Sequence, residues 1–202
     1  MTDSPHKEDM KKLQKEQREK VKSKLIDRGI LIVNTGDGKG KSTAAFGTAM
    51  RAVGHGYKVA VVQFIKGNWS TGEQKIFEKF DEITHVVSGD GFTWDTQDKS
   101  KDIESAESGW QKVEALIEEC RGDNPKYHLI VLDELNIALS YGYLDVKKVV
   151  DVLRDKPENL NIMVTGRGAP EELISIADTV TEMKPIKHAF DNGIQAQRGI
   201  EY

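Results

Sequence analysis

The chain has 202 residues, which is enough for one domain with a substantial core and too few for two large ones. Its 29 lysine and arginine residues face 33 acidic residues, and a formal net charge of −4 disfavours nucleic acid as the main partner. The single cysteine, Cys120, excludes an intramolecular disulfide and a zinc site built from several thiolates, and it favours a reducing, cytoplasmic setting.

The amino terminus is charged and lacks the features of a membrane or export segment. No apolar run approaches the roughly 20 residues of a membrane-spanning helix, and no signal-peptide core is present. Residues 1–28 instead predict a helical arm, in which Leu13, Val21 and Leu25 form a narrow apolar stripe with Met10 beside it. Two interpretations stay open: a solvated leader, or a helix that docks on the body or on a partner subunit.

From residue 29 onwards, short apolar runs alternate with helical stretches, which predicts one domain over residues 29–202. The runs are nearly continuous and rich in β-branched residues, as is typical of strands buried on both faces of a parallel sheet. We therefore predict an α/β fold. The predicted strands are 30–33, 59–65, 83–87, 129–132, 161–164 and 179–183.

The helix predicted between the third and fourth strands has the clearest core stripe, because its apolar residues recur at spacings of three and four. We therefore assign Trp110 and Cys120 to packing rather than to function. A second helix carries Val146 to Leu153 and ends before Pro157, and a short third helix begins with Pro170. The stripe of the first comprises Ile103, Ala106, Trp110, Val113, Ile117 and Cys120.

A glycine-rich segment directly follows the first predicted strand and leads into a helix that Gly54 can end. The glycines let consecutive backbone amides point at one anion, and the helix adds the positive end of its dipole. Lys41 adds a charge for phosphate, and the Ser42 hydroxyl is a ligand for magnesium, or for manganese in its place. The segment reads Thr35-Gly36-Asp37-Gly38-Lys39-Gly40-Lys41-Ser42.

Asp133 and Glu134 end the fourth strand, where phosphate-loop proteins place the carboxylate that helps to hold the metal. Loop and acid together predict a P-loop NTPase-like (RecA-like) three-layer fold with a mostly parallel sheet of about six strands. Thr35 stands where the strict pattern has its first glycine, so we expect Gly36 to carry the turn. The rival dinucleotide-binding fingerprint fails, because its third glycine would fall at Lys41.

Further candidates lie directly after the other strands, where ligands of doubly wound sheets collect. Gln63 and Lys66 follow the second strand, and Lys66 is equally well explained as a surface side chain. Arg167 follows the fifth strand between two glycines. Its guanidinium suits a phosphate or a substrate carboxylate, and an ion pair with Glu134 is the alternative.

The loop 89–96 after the third strand carries Phe92 and Trp94 at alternate positions, so both rings project to one side of an extended backbone. They form either a small satellite core or a flat apolar wall for a large planar co-substrate. No histidine has metal-ligand spacing to a second histidine or cysteine, so we predict no zinc or iron site. No nucleophile elbow is present either.

Seven segments of the sequence match one pattern: TGDGKGKSTAAFGT (35–48), RAVGHG (51–56), VQFIKG (62–67), GFTWDT (91–96), VLDEL (131–135), TGRG (165–168) and KHAFD (187–191). Together they closely resemble the phosphate-loop class of ATP:corrinoid adenosyltransferases. The resemblance extends from Arg28 to Tyr202, and more loosely to the amino-terminal helix. Asp37 departs from it, because relatives have a neutral polar residue there, and its charge is expected to weaken nucleotide affinity.

The resemblance implies transfer of the 5′-deoxyadenosyl group of ATP to the cobalt of cobalamin or its precursors, with release of triphosphate, in adenosylcobalamin biosynthesis or salvage. Cobalt is first reduced to Co(I) by a reduced flavin or flavodoxin, which loss of its lower axial ligand makes feasible. Co(I) is then the nucleophile, so no protein nucleophile is needed. The family further implies a homodimer whose amino-terminal helix closes over an active site.

Pattern and resemblance together give the expected site residues. Catalytic roles fall to Lys41, Phe92 and Trp94, with both aromatic rings on the lower corrinoid face. The corrinoid also contacts Gln63 and Lys66, and the metal is held by Ser42, Asp133 and Glu134. The ATP-binding residues are Thr35, Gly36, Asp37, Gly38, Lys39, Gly40, Lys41, Ser42, Thr43, Arg51 and Arg167.

Two other functions are open on the same fold. A nucleotide kinase or other phosphotransferase would need a catalytic base and an acceptor pocket near the terminal phosphate, and its thymidine-kinase-like version would bring a four-cysteine zinc ribbon that this sequence lacks. A non-catalytic or motor-like ATP-binding module would hydrolyse ATP in response to a partner and would be indifferent to corrinoid.

Overall fold

The described part of the chain, residues 4–65, 71–88 and 99–201 of a computed structural model, is built around one six-stranded sheet. The strands are β1 (Leu31–Thr35), β2 (Val59–Gln63), β3 (Ile83–Val87), β4 (Leu129–Asp133), β5 (Asn161–Thr165) and β6 (Thr179–Glu182). Their order is β3-β2-β4-β5-β1-β6, and all neighbours are parallel. The predicted parallel sheet is confirmed, whereas the proposed sites at Lys66, Phe92 and Trp94 lie outside the described residues.

Helices cover both faces of this sheet and complete three layers. These layers are formed by α2 (Lys41–Gly54), α3 (Gly72–Phe77), α4 (Lys99–Glu118), α5 (Leu135–Ser140), α6 (Val146–Arg154) and α7 (Glu171–Ile176). The described residues also include α1 (Ser4–Lys22) and a short 3-10 helix at Phe190–Asn192. Side chains of β4 alternate between the two cores: Leu129 and Val131 pack with α2 and α3, whereas Ile130 and Leu132 pack with α4 to α7. The predicted three-layer α/β fold is therefore confirmed.

The observed elements differ from the predicted ones mainly at their ends. The strand predicted over 59–65 stops at Gln63, although Phe64 is fully buried, because apolar character continues past the point where strand pairing ends. α3 and α5 were not predicted, since six residues are too few to show a helical period. Pro170 is the N-cap of α7 rather than its first residue. Trp110 and Cys120 are buried in the core, as predicted.

The amino-terminal arm is helical, but it ends at Lys22, so Leu25 lies beyond the helix. Met10, Leu13 and Val21 are all more than half exposed. The apolar stripe is therefore not covered by the described part of its own chain. No helix of the described residues is both long and apolar enough to cross a membrane.

Sheet order determines which residues meet at the carboxyl ends of the strands. β5 lies between β1, which leads into the glycine-rich loop, and β4, which leads into the acidic pair. Thr165, the last residue of β5, and the residues that follow it therefore come between the loop and the acids. Functional side chains from three neighbouring strands are gathered at this edge.

Candidate active site

The glycine-rich loop leaves β1 at Thr35 and turns into α2 at Lys41. Gly36 has a φ of 90° and Gly40 a φ of 109°, conformations that residues with a Cβ rarely adopt. The turn predicted at Gly36 is therefore present. The loop also lies against Met183, since Gly38 N donates to Met183 O at 2.7 Å and a Cβ on Gly38 would come within 2.8 Å of that carbonyl.

The backbone amides at the start of α2 provide an anion site. Within the described residues, no backbone carbonyl accepts a hydrogen bond from the N–H groups of residues 39–43, and the first one that is bonded is Ala44 N, to Gly40 O at 2.8 Å. Unpaired amides at a helix start carry the positive end of the helix dipole. Five consecutive donors of this kind are the chemistry that a polyphosphate needs.

Lys41 lies within this loop and is 7% exposed. Its Nζ donates to Gly38 O at 2.7 Å, so the ammonium is held over the loop backbone. Burial lowers the pKa of Lys41, while Glu134 and Asp37 act in the opposite direction. A buried ammonium that is close to two carboxylates is suited to a polyanionic ligand, which would replace solvent around the charge.

The carboxylate of Asp133, the last residue of β4, is buried and already hydrogen-bonded on both oxygens. Thr165 Oγ1 donates to Asp133 Oδ1 at 2.8 Å, and Gln63 Nε2 donates to Asp133 Oδ2 at 3.1 Å. The same Thr165 hydroxyl accepts a hydrogen bond from Glu134 N at 3.0 Å. Asp133 is thus held in one orientation by residues of the two adjacent strands.

Glu134 has the opposite character. Among the described residues it is the one non-glycine residue with a positive φ, 60°, and its buried Oε2 has no hydrogen-bond partner within that part of the chain. Burial, followed by the neighbouring charge of Asp133, raises its pKa to about 7. Strain and an unpaired buried oxygen are costs that a protein retains at functional sites.

These acids are a suitable donor set for magnesium, which prefers carboxylate and hydroxyl oxygens. Glu134 Oε2 has no hydrogen-bond partner within the described residues, as is also true of the buried Asn136 Oδ1, and the half-buried Ser42 is the second residue of α2. Each Asp133 oxygen keeps one lone pair for the metal or for a metal-bound water, because a carboxylate oxygen accepts two hydrogen bonds. The residues at this edge therefore fit the metal that the sequence predicts.

Two departures from the expected sequence pattern have structural explanations. Thr35, which replaces a glycine, accepts a hydrogen bond from Ala169 N on its hydroxyl at 3.1 Å and so ties the segment after β5 to the loop. Arg167 Nε lies 3.9 Å from Asp37 Oδ1, and both side chains are largely exposed. The unusual charge of Asp37 thus has a cationic neighbour. Among the described ion pairs, Arg167 joins Asp37 and not Glu134.

Several predicted residues are not brought to the loop interior. Arg51 is exposed in the last turn of α2, about 15 Å along the helix axis from Lys41 at 1.5 Å per residue. Lys39 is exposed and forms an ion pair with Glu201 near the carboxyl terminus. Thr43 is exposed on α2. The side-chain amide of Gln63 bonds within the protein, to Asp133 and His85, rather than facing outward for a corrinoid.

Sequence reasoning missed the residues that hold the acidic pair and the turn after β5 in place. Thr165 was noted as part of a strand end, but its two hydrogen bonds to the acidic segment were not foreseen. Asn136 is fully buried and donates to Gly166 O at 3.0 Å, which fixes the turn before Arg167. Only the position of these residues just after buried strands could have indicated them. His85, to which no role was assigned, bonds to Gln63.

Comparison with known proteins identifies the family of this chain. Residues 27–202 match the family described as ATP:corrinoid adenosyltransferase BtuR/CobO/CobP. The corrinoid adenosyltransferase of Pseudomonas aeruginosa is 47% identical over 201 residues, covering 99% of this chain and 97% of the relative. That of Escherichia coli K12 is 45% identical, covering 94% and 96%. The corrinoid adenosyltransferase CobA of Salmonella typhimurium is 41% identical over the full length of both chains. This chain therefore belongs to the ATP:corrinoid adenosyltransferase family and is an enzyme of that family.

Proposed function

We propose that this enzyme transfers the 5′-deoxyadenosyl group of ATP, bound with magnesium, to the Co(I) centre of cobalamin or a precursor corrinoid and releases triphosphate. The lone pair of Co(I) attacks C5′ of ATP. The Co–C5′ bond forms, the C5′–O5′ bond breaks, and triphosphate leaves with the electron pair. The observation that carries the proposal is the row of five backbone amides at residues 39–43, which have no hydrogen-bond partner within the described part of the chain, with buried Lys41 among them.

This arrangement supports a reaction in which a whole triphosphate departs. Negative charge grows on the leaving group as the C5′–O5′ bond breaks, and preorganised donors lower the energy of that state most. The amides and Lys41 are held in place by the loop backbone, so they require little reorganisation during the reaction. Removing any one such donor is expected to slow the reaction by about 100-fold or more.

Magnesium, when bound, would neutralise charge on the triphosphate. Ser42 and Glu134 would hold it, with Asp133 beside them. Because the pKa of Glu134 is about 7, a bound cation would be needed to keep its carboxylate fully ionised at neutral pH. The protein's own part is therefore to orient two acids and a hydroxyl and to keep one acidic oxygen available.

The corrinoid half of the reaction rests on the family resemblance. Phe92 and Trp94 would occupy the lower face of the corrinoid and displace the axial ligand, and Lys66 would contact the macrocycle. The same resemblance supports a homodimer, closure of the amino-terminal helix over a site, and a reduced flavin or flavodoxin as donor of the electron that converts Co(II) to Co(I). The exposed apolar stripe of α1 is compatible with such closure.

The decisive experiment is an anaerobic incubation of the protein with ATP, magnesium and chemically reduced cobalamin. We expect a light-sensitive alkyl-cobalt absorbance spectrum and stoichiometric triphosphate. Formation of ADP and phosphate would point to a phosphotransferase or to a corrinoid-independent ATPase. Lys41→Ala should lower kcat/KM for ATP by about 100-fold or more. Lys126→Ala is the matched control, because Lys126 is an exposed lysine far from the phosphate loop in sequence, whose ammonium pairs with Glu119 at 2.7 Å and lies over the ring of the buried Tyr127.

The role of the aromatic pair is tested separately by the oxidation state of the starting corrinoid. Phe92→Ala and Trp94→Ala should impair the reaction much more when the assay starts from Co(II) and a reductant than when it starts from Co(I). The reason is that displacement of the lower ligand assists reduction rather than alkyl transfer. Equal losses in both assays would remove the lower-face role.

A further inference from the structure

A chain of hydrogen bonds runs across the carboxyl ends of four adjacent strands and ends at the acidic pair. His85 Nε2 of β3 bonds to Gln63 Oε1 of β2 at 2.8 Å. Gln63 Nε2 then donates to Asp133 of β4 at 3.1 Å, and Thr165 of β5 donates to the same carboxylate at 2.8 Å. Thr165 also accepts from Glu134 N at 3.0 Å. Of these residues, His85 alone lies outside the seven segments that carry the family resemblance.

The sheet register places these residues on one face. Gln63 is paired directly with Asp133, and with Val87 on the other side. His85 lies two residues before Val87 and therefore on the same face of the sheet, within reach of Gln63. Phe77 of α3 packs edge-on against the His85 ring, with 5.5 Å between ring centroids. The histidine is thus held by packing as well as by its hydrogen bond.

The Asp133 carboxylate determines the direction of donation in every hydrogen bond of this series. An ionised carboxylate can only accept hydrogen bonds, so the NH₂ group of Gln63 must face Asp133. The oxygen of the same amide then faces His85, and Nε2 of His85 must carry a proton. The histidine therefore prevents the amide from rotating to present its oxygen to Asp133, which would place two acceptors in contact.

We propose that Gln63 and His85 are positioning residues for the metal-binding acids. Gln63 holds Asp133, and His85 holds Gln63. This assignment replaces the corrinoid contact predicted for Gln63, and it rests on the proposed function only in taking the acids to bind the divalent ion that accompanies ATP. Outer-shell partners of this kind typically change metal affinity by about 10- to 100-fold when removed.

The first test needs neither metal nor nucleotide. In the full chain labelled with ¹⁵N-histidine at pH 8, we expect neutral His85 to be the Nε2–H tautomer, with its signals assigned by their loss in His85→Gln. Gln63→Met, which keeps the length of the side chain but removes both the oxygen and the NH₂ group of the amide, should shift the tautomer populations of His85. A predominant Nδ1–H tautomer in the unsubstituted protein would overturn the proposed direction of donation, which is from His85 to Gln63 and from Gln63 to Asp133.

The second test measures binding of Mn²⁺, as a spectroscopic substitute for magnesium, to the ATP-loaded protein by electron paramagnetic resonance. Gln63→Met and His85→Ala should each weaken Mn²⁺ binding about tenfold or more, while ATP affinity without divalent ion stays unchanged. His85→Gln, which restores an N–H donor, should recover part of the loss. Thermal unfolding of each variant would identify one that fails to fold, and the remaining variant then decides.

His128→Ala is the matched control. His128 is also half-buried and bonded to an amide side chain, with Asn161 Nδ2 at 3.4 Å from its Nε2, but it lies at the amino ends of the strands. Its loss should leave Mn²⁺ affinity unchanged. If the chain forms alkyl-cobalamin and all these variants bind Mn²⁺ equally, the positioning role alone is wrong. If the unsubstituted ATP complex binds no Mn²⁺, the magnesium-dependent function and the positioning role both fail.

Discussion

Acidic side chains at the two ends of the strands have opposite environments. At the amino ends of the strands, Asp178 accepts hydrogen bonds from the Arg28 guanidinium on both oxygens and from Leu31 N at 2.9 Å. These bonds, with the Arg28 side chain as the largest cause, hold the pKa of Asp178 at about 2. At the carboxyl ends, Glu134 keeps one buried oxygen without a partner in the described residues, and its pKa rises to about 7.

The contrast indicates which edge is built for stability and which for binding. At the amino ends of the strands, called the amino edge below, polar groups bond to one another. Gly29 N donates to Glu158 O at 2.7 Å, and Lys156 Nζ donates to Gly29 O at 2.9 Å. The carboxyl edge leaves amides, an ammonium and a carboxylate for a ligand. A protein can keep such costs at one edge only because the rest of the fold supplies stability.

The largest expected effect is that Glu134→Gln separates binding from stability. Metal-dependent ATP affinity should fall about 100-fold, since an anionic ligand is lost. Stability without metal should rise at pH 8. The carboxyl pKa is about 4.5 unfolded and about 7 folded, so its stabilising contribution is complete below the lower value and is lost as pH rises through the upper one. The substitution should therefore raise the free energy of unfolding at pH 8 by up to about 3 kcal/mol.

Urea unfolding of both proteins in EDTA at pH 5 and pH 8 measures this difference. The two proteins should be closest in stability at pH 5, and Glu134→Gln should be the more stable protein at pH 8. Equal dependence on pH in both proteins would show that the Glu134 carboxyl is not buried in the way described here.

A substitution at the amino edge should affect stability without a specific effect on the ligand. A Cβ on Gly29 would lie 2.2 Å from Leu160 O, so Gly29→Ala forces two backbone segments apart. We expect a loss of roughly 2–3 kcal/mol in the free energy of unfolding. The ATP affinity of the folded fraction, measured by equilibrium binding at low temperature, should be unchanged.

Gly47→Ala provides the control for that measurement, because Gly47 lies inside α2 and a Cβ there would meet nothing within 4 Å. It should stabilise the protein by up to about 1 kcal/mol through helix propensity. A tolerated Gly29→Ala would mean that the amino edge is looser than the structure indicates.

Asp178→Asn should show the opposite pH dependence to Glu134→Gln. The folded-state pKa of Asp178, about 2, is below its ordinary value of 3.8, so its contribution is present above pH 4 and is lost as pH falls towards 2. With screening at a side chain that is 24% exposed, we expect a loss of about 1 kcal/mol at pH 7. Urea unfolding from pH 7 down to pH 2.5 should show this difference shrinking, and a constant difference would contradict it.

The smallest effect is expected at Thr35. Thr35→Val removes the hydroxyl that accepts from Ala169 N and should cost about 1 kcal/mol, with a modest rise in KM for ATP because the Arg167 segment is released from the loop. Thr35→Ser keeps the oxygen and should behave like the unsubstituted protein. If both variants behave alike in unfolding and in KM, the hydroxyl is not what links the two segments.

Local signals in the sequence were sufficient for the loop and for most of the sheet. The glycines, Lys41 and Ser42 are adjacent in the chain, so their spacing alone specifies a turn that leads into a helix. Short runs rich in β-branched residues predicted all six strands, including the edge strand β6, whose residues are all exposed. The short helices α3 and α5 were missed because their stability comes from packing and capping rather than from a repeating pattern.

The hydrogen-bond partners of the two acidic residues could not be predicted from the local sequence pattern. Asp133 and Glu134 are adjacent in sequence and looked equivalent, yet Asp133 accepts a hydrogen bond on each oxygen, whereas Glu134 Oε2 has no partner in the described residues. Arg51 shows the reverse case, since a motif placed it with the nucleotide and the helix carries it away from the loop.

The sequence by itself determined the fold class, the phosphate loop and the family, because each depends on residues that are close along the chain or on the periodicity of apolar side chains. Only the tertiary structure revealed the hydrogen bonds of Gln63, His85 and Thr165. Their hydrogen bonds join strands that are neighbours in space and distant in sequence, and strand order, rather than spacing, brings them together.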